Sequence, residues 1–562
     1  MLRTTGRYFI LLMMLASVCQ GLMSQQLAAI GSGERVEACI DRNMYVAGEN
    51  ILFSALVFNV KNPSADEISR TLYCELIAPD GKKIASRKYG LLHFSACGAF
   101  PVPEEAASGI YYLRFYTRIM RNSTTGNYKY ILLKIVNPVK TEVLPGADID
   151  DTINFAGREQ VVPATSPALK IVGQRVVSAR QEFHLEVQRK ADPARPAKLC
   201  LSVIPEFTCG KVSLPARKEA GPAKSVLFYP ETRGVSISGH LTGRETGQPV
   251  ARAKVNLSII GDKDIMVVHT DSTGRFFFAL PDHSGNRDIF LCADDMPGIK
   301  PEILIDNDFC TRPVSLLSPV FSLSRQELQT AFSLSVNAGI TTVFSKDTMA
   351  GRMVAEDPGV SFYGEPSEVL VMDKYIELPT LEEYFSELQL MLKVRKIDGR
   401  KQFRFYLSQG EMSIYEPLVL VDWVAVNDVD KVLAMSPREI GRIEFVNSVY
   451  IKGNVTYGGI VTFVSKKNDF AGINLPSSGT FVNYSFTEPS HPGMPQDPGV
   501  PNIPDSRNTV YWNPDLQVNG EGVSDVSFTA PDTPGRYLVL LRNLGPAGEE
   551  VLASEFVEVR SR

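Results

Sequence analysis

Apolar and polar residues alternate with a period of two along much of this chain, and that period limits what it can fold into. The alternation is clear at 51–60 (ILFSALVFNV), at 109–117 (GIYYLRFYT), through 169–205 and again within 507–562. Successive side chains on a strand point to opposite faces, so each run reads as a strand with one core-facing side. Turn chemistry separates the runs. Pro79-Asp80-Gly81 lies between apolar runs within 71–90, as a hairpin requires. Asp271 to Gly274 suits a hairpin turn ahead of Phe276 and Phe278, which share one face. Many short strands spaced in this way predict β-sandwiches.

One stretch departs from this pattern. Residues 417–467 read as strand, short helix, strand, turn, strand. LVLVDW at 418–423 is a buried apolar run, and IEFV (443–446) and IVTFV (460–464) are rich in β-branched and aromatic residues. Between the first two, Ser436 can cap a helix, Pro437 suits the first helical position and Glu439 completes a capping box. Gly458-Gly459 supplies the turn into the last strand. Two further helices are expected. One covers 323–344, where Leu328, Ala331, Phe332, Ser335 and Val336 fall near helical spacing; the other runs from the capping box Thr380 to Glu383 through Leu390. With 562 residues the chain is too long for one core, and roughly three to five domains follow.

Several of these segments resemble known families. DRNMYVAGENILFSA, SGIYYLRFYTRIMRN and LLKIVNP resemble the macroglobulin-like domain of bacterial alpha-macroglobulin relatives, and 169–205 resembles a second, shorter unit of that kind. SGHLT (238–242), GQPVARAKV (247–255) and TDSTGRFFF (270–278) resemble the carboxypeptidase regulatory-like sandwich, whose "T-D-x-x-G-x-F" segment is a hairpin and which is not itself a peptidase. The 417–467 stretch resembles the plug of TonB-dependent outer-membrane receptors, with Asp422-Trp423 where the plug has Asp-Gly. Together the resemblances are those of a Bacteroidota-type exported multidomain protein. They imply a mostly β, multidomain fold, with several β-sandwich (macroglobulin/Ig-like) domains plus one small α/β plug-like domain. The expected order is a signal peptide at 1–24, a macroglobulin-like sandwich at 27–137, a linker at 138–168 and a second such unit at 169–232. A carboxypeptidase regulatory-like sandwich at 233–322, a helix and linker at 323–362 and the plug-like domain at 363–467 follow. A Pro-rich loop (468–506) and C-terminal strands (507–562) complete the plan.

The first residues read as an export signal. Arg3 and Arg7 precede an apolar run over 8–18, with cleavage expected after Ser24; lipidation at Cys19 is the alternative, against which bulky Val18 argues. No segment has the roughly 20 apolar residues of a membrane-spanning helix. A net charge of −5 argues against nucleic-acid binding. Cleavage leaves Cys39, Cys74, Cys97, Cys200, Cys209, Cys292 and Cys310. Cys74/Cys97 and Cys200/Cys209 are possible pairs, and buried unpaired thiols are the other reading.

A receptor plug is followed by a 22-stranded barrel, and after residue 467 the chain has no room for one. Motifs for a zinc protease, a serine hydrolase elbow, a P-loop or a dinucleotide fold are missing from the sequence, as is the Cys-Gly-Glu-Gln thioester of alpha-macroglobulins. The expectation is a non-enzymatic exported cell-envelope scaffold or adaptor, in the periplasm or at the outer membrane. It needs no cofactor or metal and binds an envelope or outer-membrane protein through its sandwich and plug-like domains. A macroglobulin-related protease inhibitor or protection protein acting without a thioester is the alternative. Trp423, Tyr457 and Asp422 are the candidate partner-binding residues, with Trp423 either an exposed anchor or a core residue.

Overall fold

Strand pairing, rather than strand order, sets the domain plan of this mostly β, multidomain protein. The computed structural model describes residues 33–561 except 60–68, 147–168, 173–174, 189–197, 211–226, 295, 297, 346–358, 389, 398, 406–413, 492, 494, 496–502 and 520. The expected signal peptide, its cleavage site, Cys19 and most of the 138–168 linker lie outside the described residues. The chain divides into two units. One comprises residues up to Gly234, Phe309–Arg352 and Thr487–Arg562; the other, inserted into its sequence, comprises Val235–Asp308 and Met353–Phe486.

The first unit holds two sandwiches. In the first, Glu34–Ile40, Asn50–Asn59 and Ser95–Pro101 form one antiparallel sheet. Met44–Val46, Lys129–Val136, Gly109–Tyr116, Thr71–Ile77 and Lys83–Gly90 form the other, in that order. Their shared core is aromatic, built on Phe53, Tyr73, Tyr89, Phe100, Phe115 and Tyr116. Alternation does its expected work: along Ser95–Pro101 every second residue is buried. The inward-facing position 98 is a glycine because a Cβ there would come within 2.7 Å of the Tyr89 ring, whose hydroxyl donates to the Ala99 carbonyl at 2.8 Å. The turn at Pro79-Asp80-Gly81 forms as expected, with Gly81 at φ 89° and its N–H donating to Ala78 O.

The second sandwich joins segments far apart in the chain. Lys198–Pro205 lies between Gly535–Gly545 and Tyr511–Asn513 in a five-stranded sheet, and Glu182–Gln188 lies between Val523–Thr529 and Leu169–Val172 in the facing one. Phe183, Leu185, Leu201, Val203, Val539 and Leu541 share its core. Residues 169–232 and 507–562, read from the sequence as separate units, therefore build one domain between them. Period-two alternation shows which face of a strand is buried but not which strand lies beside it.

The second unit repeats this scheme on a smaller scale. Arg275–Ala279, Ser236–Gly243 and Pro301–Ile305 face Ile265–His269, Lys254–Ile259, Asn286–Ala293 and Thr480–Ser485 across a core containing Phe276 and Phe278. Two expectations change here. The Asp271–Gly274 turn forms, with Asp271 Oδ1 accepting from the backbone N–H groups of Thr273 and Arg275. The strands on either side of it, however, belong to opposite sheets, so the turn is an arch and not a hairpin. The region expected to be a Pro-rich loop holds the Thr480–Ser485 strand, because residues 477–488 contain no proline and are free to donate to a ladder.

Between these sandwich strands sits an α/β substructure. Its sheet runs in the order Glu368–Val371, Ile440–Val446, Ile460–Ser465, Leu418–Val421, Val424–Ala425, with Leu418–Val421 parallel to Ile460–Ser465. Three helices are used below: α1 (Arg325–Ser345) in the first unit, and α2 (Leu381–Glu387) and α3 (Val429–Leu433) in the second. Thr380 caps α2 as expected, its side chain accepting from Glu383 N. The helix between the first two sheet strands begins at Asp428, which caps α3, whereas Ser436 makes no side-chain cap and Pro437–Glu439 is a single tight turn. Asp428 competes for the same role eight residues nearer the strand, leaving no room for a full helix after Ser436.

Candidate functional site

The three residues singled out from the sequence meet at one turn and its surroundings. Val421 pairs with Val424, leaving Asp422 and Trp423 as a two-residue loop. Their φ angles are 46° and 60°, the left-handed values that a type I′ turn imposes on both central positions. Aspartate tolerates this region; tryptophan gains nothing there and is held against a strain of about 1–2 kcal/mol. Other contacts must hold it.

Asp422 ties the turn to the end of the neighbouring strand. Its carboxylate accepts from Ser465 N at 2.8 Å, Ser465 Oγ at 2.6 Å and Phe470 N at 2.9 Å, while its own N–H donates to Phe463 O. Trp423 ties it to the small sandwich. Its carbonyl accepts from Ser258 Oγ at 2.9 Å, and its ring packs with Ile265, Val267, Leu418, Leu420 and Tyr457. The Lys263 ammonium lies 6.0 Å from the ring centre.

Trp423 is only 7% exposed and Tyr457 4%. Of the two readings left open by the sequence, burial is the one realised, and neither ring is presented as a surface anchor. The indole N–H and the Tyr457 hydroxyl have no hydrogen-bond partner among the described residues. Burial, with Asp294 and Cys292 nearby, pushes the Tyr457 phenol well up. With its phenol held neutral, the cluster serves as a packed latch between the sandwich and the α/β sheet rather than a site for proton transfer. A cavity of about 10 Å³ beside it, lined by Asn427, Asp428 and Lys431 among others, has the size of one water molecule. Small-molecule sites run to hundreds of Å³. Among the described residues no three His, Cys, Asp or Glu side chains converge as a metal site would require. His269 faces Asn454, Nδ1 to Oδ1 at 3.2 Å.

The surface feature whose exposure the sequence did not reveal lies on α1 of the first unit. Ser324 and Glu327 form a reciprocal capping box, so the helix starts where its spacing predicts. The face turned inward is mainly small and polar. Ala331 and Leu334 pack on Met44 and Val46, Asn337 bonds to Asn508 and accepts from Thr533, and Glu327 pairs with Lys134. Ser335 and Thr341 spend their hydroxyls on carbonyls four residues back. The large apolar residues point the other way: Leu328 is 60% exposed, Phe332 71%, Val336 47% and Val343 69%. At 100° per residue these four fall within an arc of about 80°, a continuous stripe along the helix. Helical spacing revealed the stripe; which side faced the protein depended on Asn508, Thr533 and Lys134, all remote in sequence.

No family model matches this chain. No curated protein matches it either. Among solved structures, trypsin-activated alpha-2-macroglobulin from Escherichia coli aligns over 95% of this chain and 42% of its own length, with 11% identity and a TM-score of 0.22. Salmonella alpha-2-macroglobulin reacted with methylamine aligns over 94% and 23%, with 10% identity and a TM-score of 0.16. Dimeric latent PorU from Porphyromonas gingivalis aligns over 49% and 34%, with 11% identity and a TM-score of 0.16. This chain thus spans less than half the length of these proteins, and likeness at this level carries no argument about activity or partner.

Proposed function

We propose that this chain is a non-enzymatic scaffold or adaptor of the bacterial cell envelope, exported and stationed at the outer membrane, that binds a protein partner there. The observation that carries the reading is the orientation of α1. A surface helix normally buries its apolar stripe and shows its polar face to water. This one is clamped by polar bonds on its inner face and turns Leu328, Phe332, Val336 and Val343 outward. Such a stripe suits insertion into an apolar groove of another protein, with anchors at helical spacing. The export-signal pattern at the N-terminus and the plug-like motifs of 417–467 support the location. In this reading the nested sandwiches act as a rigid mount, and the α/β substructure is a joint whose own aromatic residues are used internally.

The test is a Leu328→Ser/Phe332→Ser double variant, compared with the parent chain in pull-downs from envelope fractions. Both side chains are exposed, so the fold and its thermal transition are expected to be unchanged. A partner retained by the parent is expected to be lost by the variant. Identical partner sets for the two proteins would overturn the assignment of α1, and the absence of any specific partner for the parent would overturn the scaffold reading.

A further inference from the structure

Cys39 lies on Glu34–Ile40 of the first sandwich and Cys200 on Lys198–Pro205 of the second, 161 residues apart in sequence. Their sulfurs stand 3.2 Å apart as two thiols, with the Cys39 S–H donating to Cys200. Both side chains are fully buried, in a small apolar cluster with Leu52, Leu56, Trp512 and Leu544 at the junction of the sandwiches. A shift of about 1 Å would bring the sulfurs to bonding distance. Each cysteine sits inside a paired ladder, Cys39 opposite Ser54 and Cys200 opposite Arg542, so the two are presented to each other by sheet register and not by a loose loop.

We propose that Cys39 and Cys200 are joined by a disulfide when the protein matures in an oxidising compartment, and that this bond staples the first sandwich to the second. The two thiols are chemically unlike, which sets the order of events. The Cys39 hydrogen bond and the nearby Arg542 guanidinium lower the Cys200 thiol, whereas that same bond and burial raise Cys39. Arg542 lies opposite Cys200 within the second sandwich, so its guanidinium favours the Cys200 thiolate before the sandwiches meet, and Cys200 is the attacking thiolate. It displaces one thiolate from an external disulfide (oxidised glutathione or an enzyme-borne disulfide), forming a mixed disulfide. Cys39 then attacks the Cys200 sulfur and expels the second thiolate. The two protons leave with the two released thiols, so two protein thiols and one external disulfide become one protein disulfide and two external thiols. Because neither sulfur is exposed in the closed structure, this exchange takes place before the sandwiches dock; afterwards the same burial shields the bond from reductants.

The full chain is refolded in a glutathione redox buffer, quenched with iodoacetamide and digested without reductant. The expected result is one cross-linked peptide pair containing Cys39 and Cys200, with Cys74, Cys97, Cys209, Cys292 and Cys310 alkylated. Refolding in excess dithiothreitol should lower the Tm of the first unit, and a Cys39→Ala/Cys200→Ala variant should show the same Tm with and without reductant. Recovery of Cys39 and Cys200 as alkylated peptides from the oxidatively refolded chain overturns the proposal, as does a different partner for either. Since the mapping is done on the unmodified sequence, a variant that fails to fold leaves the test intact.

Discussion

The only two tryptophans in the chain each sit at a junction, one per unit, and they are held in opposite ways. Trp512 is a strand residue. It faces Ser202 across a regular ladder, is wholly buried beside Cys39 and Cys200, and has the Arg542 guanidinium 5.7 Å from its ring centre. Around it the two sandwiches are bound by buried polar groups. Arg42 donates to Glu49 at 2.7 Å, to Met44 O at 2.6 Å and to Thr509 Oγ1 at 3.1 Å, and Asp41 accepts from Tyr45 and Thr509. Trp423 is a turn residue in a left-handed conformation, with an apolar neighbourhood and one hydrogen bond to its carbonyl. The first junction adds a buried ion-pair network around Arg42 to its small apolar cluster, whereas the second relies on apolar shape. Charges in register tolerate no missing partner, whereas a packed ring loses stability in proportion to the volume removed.

The difference can be broken at its strongest point first. Arg42→Met leaves buried Asp41 and part-buried Glu49 without their cation, and a loss of about 3–5 kcal/mol is expected. Chemical denaturation followed by Trp512 fluorescence, in a Trp423→Phe background so that a single indole emits, measures it. A loss below about 1 kcal/mol would show that the junction is not charge-locked. Trp423→Ala should destabilise the second unit by about 3 kcal/mol through the cavity it opens, read as faster amide exchange in Leu418–Val421. The sharper comparison is Trp423→Gly. Glycine ordinarily ranks below alanine, but at φ 60° it should be the milder change by about 1 kcal/mol. Reversal of that order would mean the turn relaxes once the ring is gone.

The smallest effect belongs to Glu34, on the first strand. Burial raises its carboxyl, with the Glu231 carboxylate adding, against hydrogen bonds from Thr117 and Ser69 that lower it. A folded value above the unfolded one means the folded state holds this proton more tightly. That contribution is complete below the unfolded value and is lost as pH rises through the folded one. Glu34→Gln has no proton to lose, so its stability relative to the parent should rise between pH 4 and pH 8. A flat difference across that range would reject the assignment.

Much of this architecture was legible from local pattern. The strands at 418–421, 443–446 and 460–464 follow from runs of Val, Ile, Leu and Phe, and the caps at Thr380 and the turn glycine at Gly81 are where short-range chemistry places them. What local pattern could not carry was pairing at a distance. Lys198–Pro205 looks like any half-buried strand, and nothing within it names Gly535–Gly545 as its neighbour. Trp423 marks a different limit. The dipeptide Asp-Gly announces a type I′ turn, and replacing the glycine removes the signal while the backbone keeps the geometry. The α1 stripe was visible as spacing, but its direction was decided by partners elsewhere in the chain.

The nesting of the second sandwich has a consequence in time as well as in space. Lys198–Pro205 is complete at Pro205, but the strands that flank it begin at Tyr511 and Gly535, roughly 300 residues later. At about 5–20 residues per second the ribosome needs ~15–60 s to deliver them. For that interval Leu199, Leu201 and Val203 belong to a ribbon with both edges unpaired, a template for association with other chains. The C-terminal strands are therefore the closing step for residues made long before them. A stop codon just ahead of Tyr511 should harm 169–205 as severely as deleting that segment.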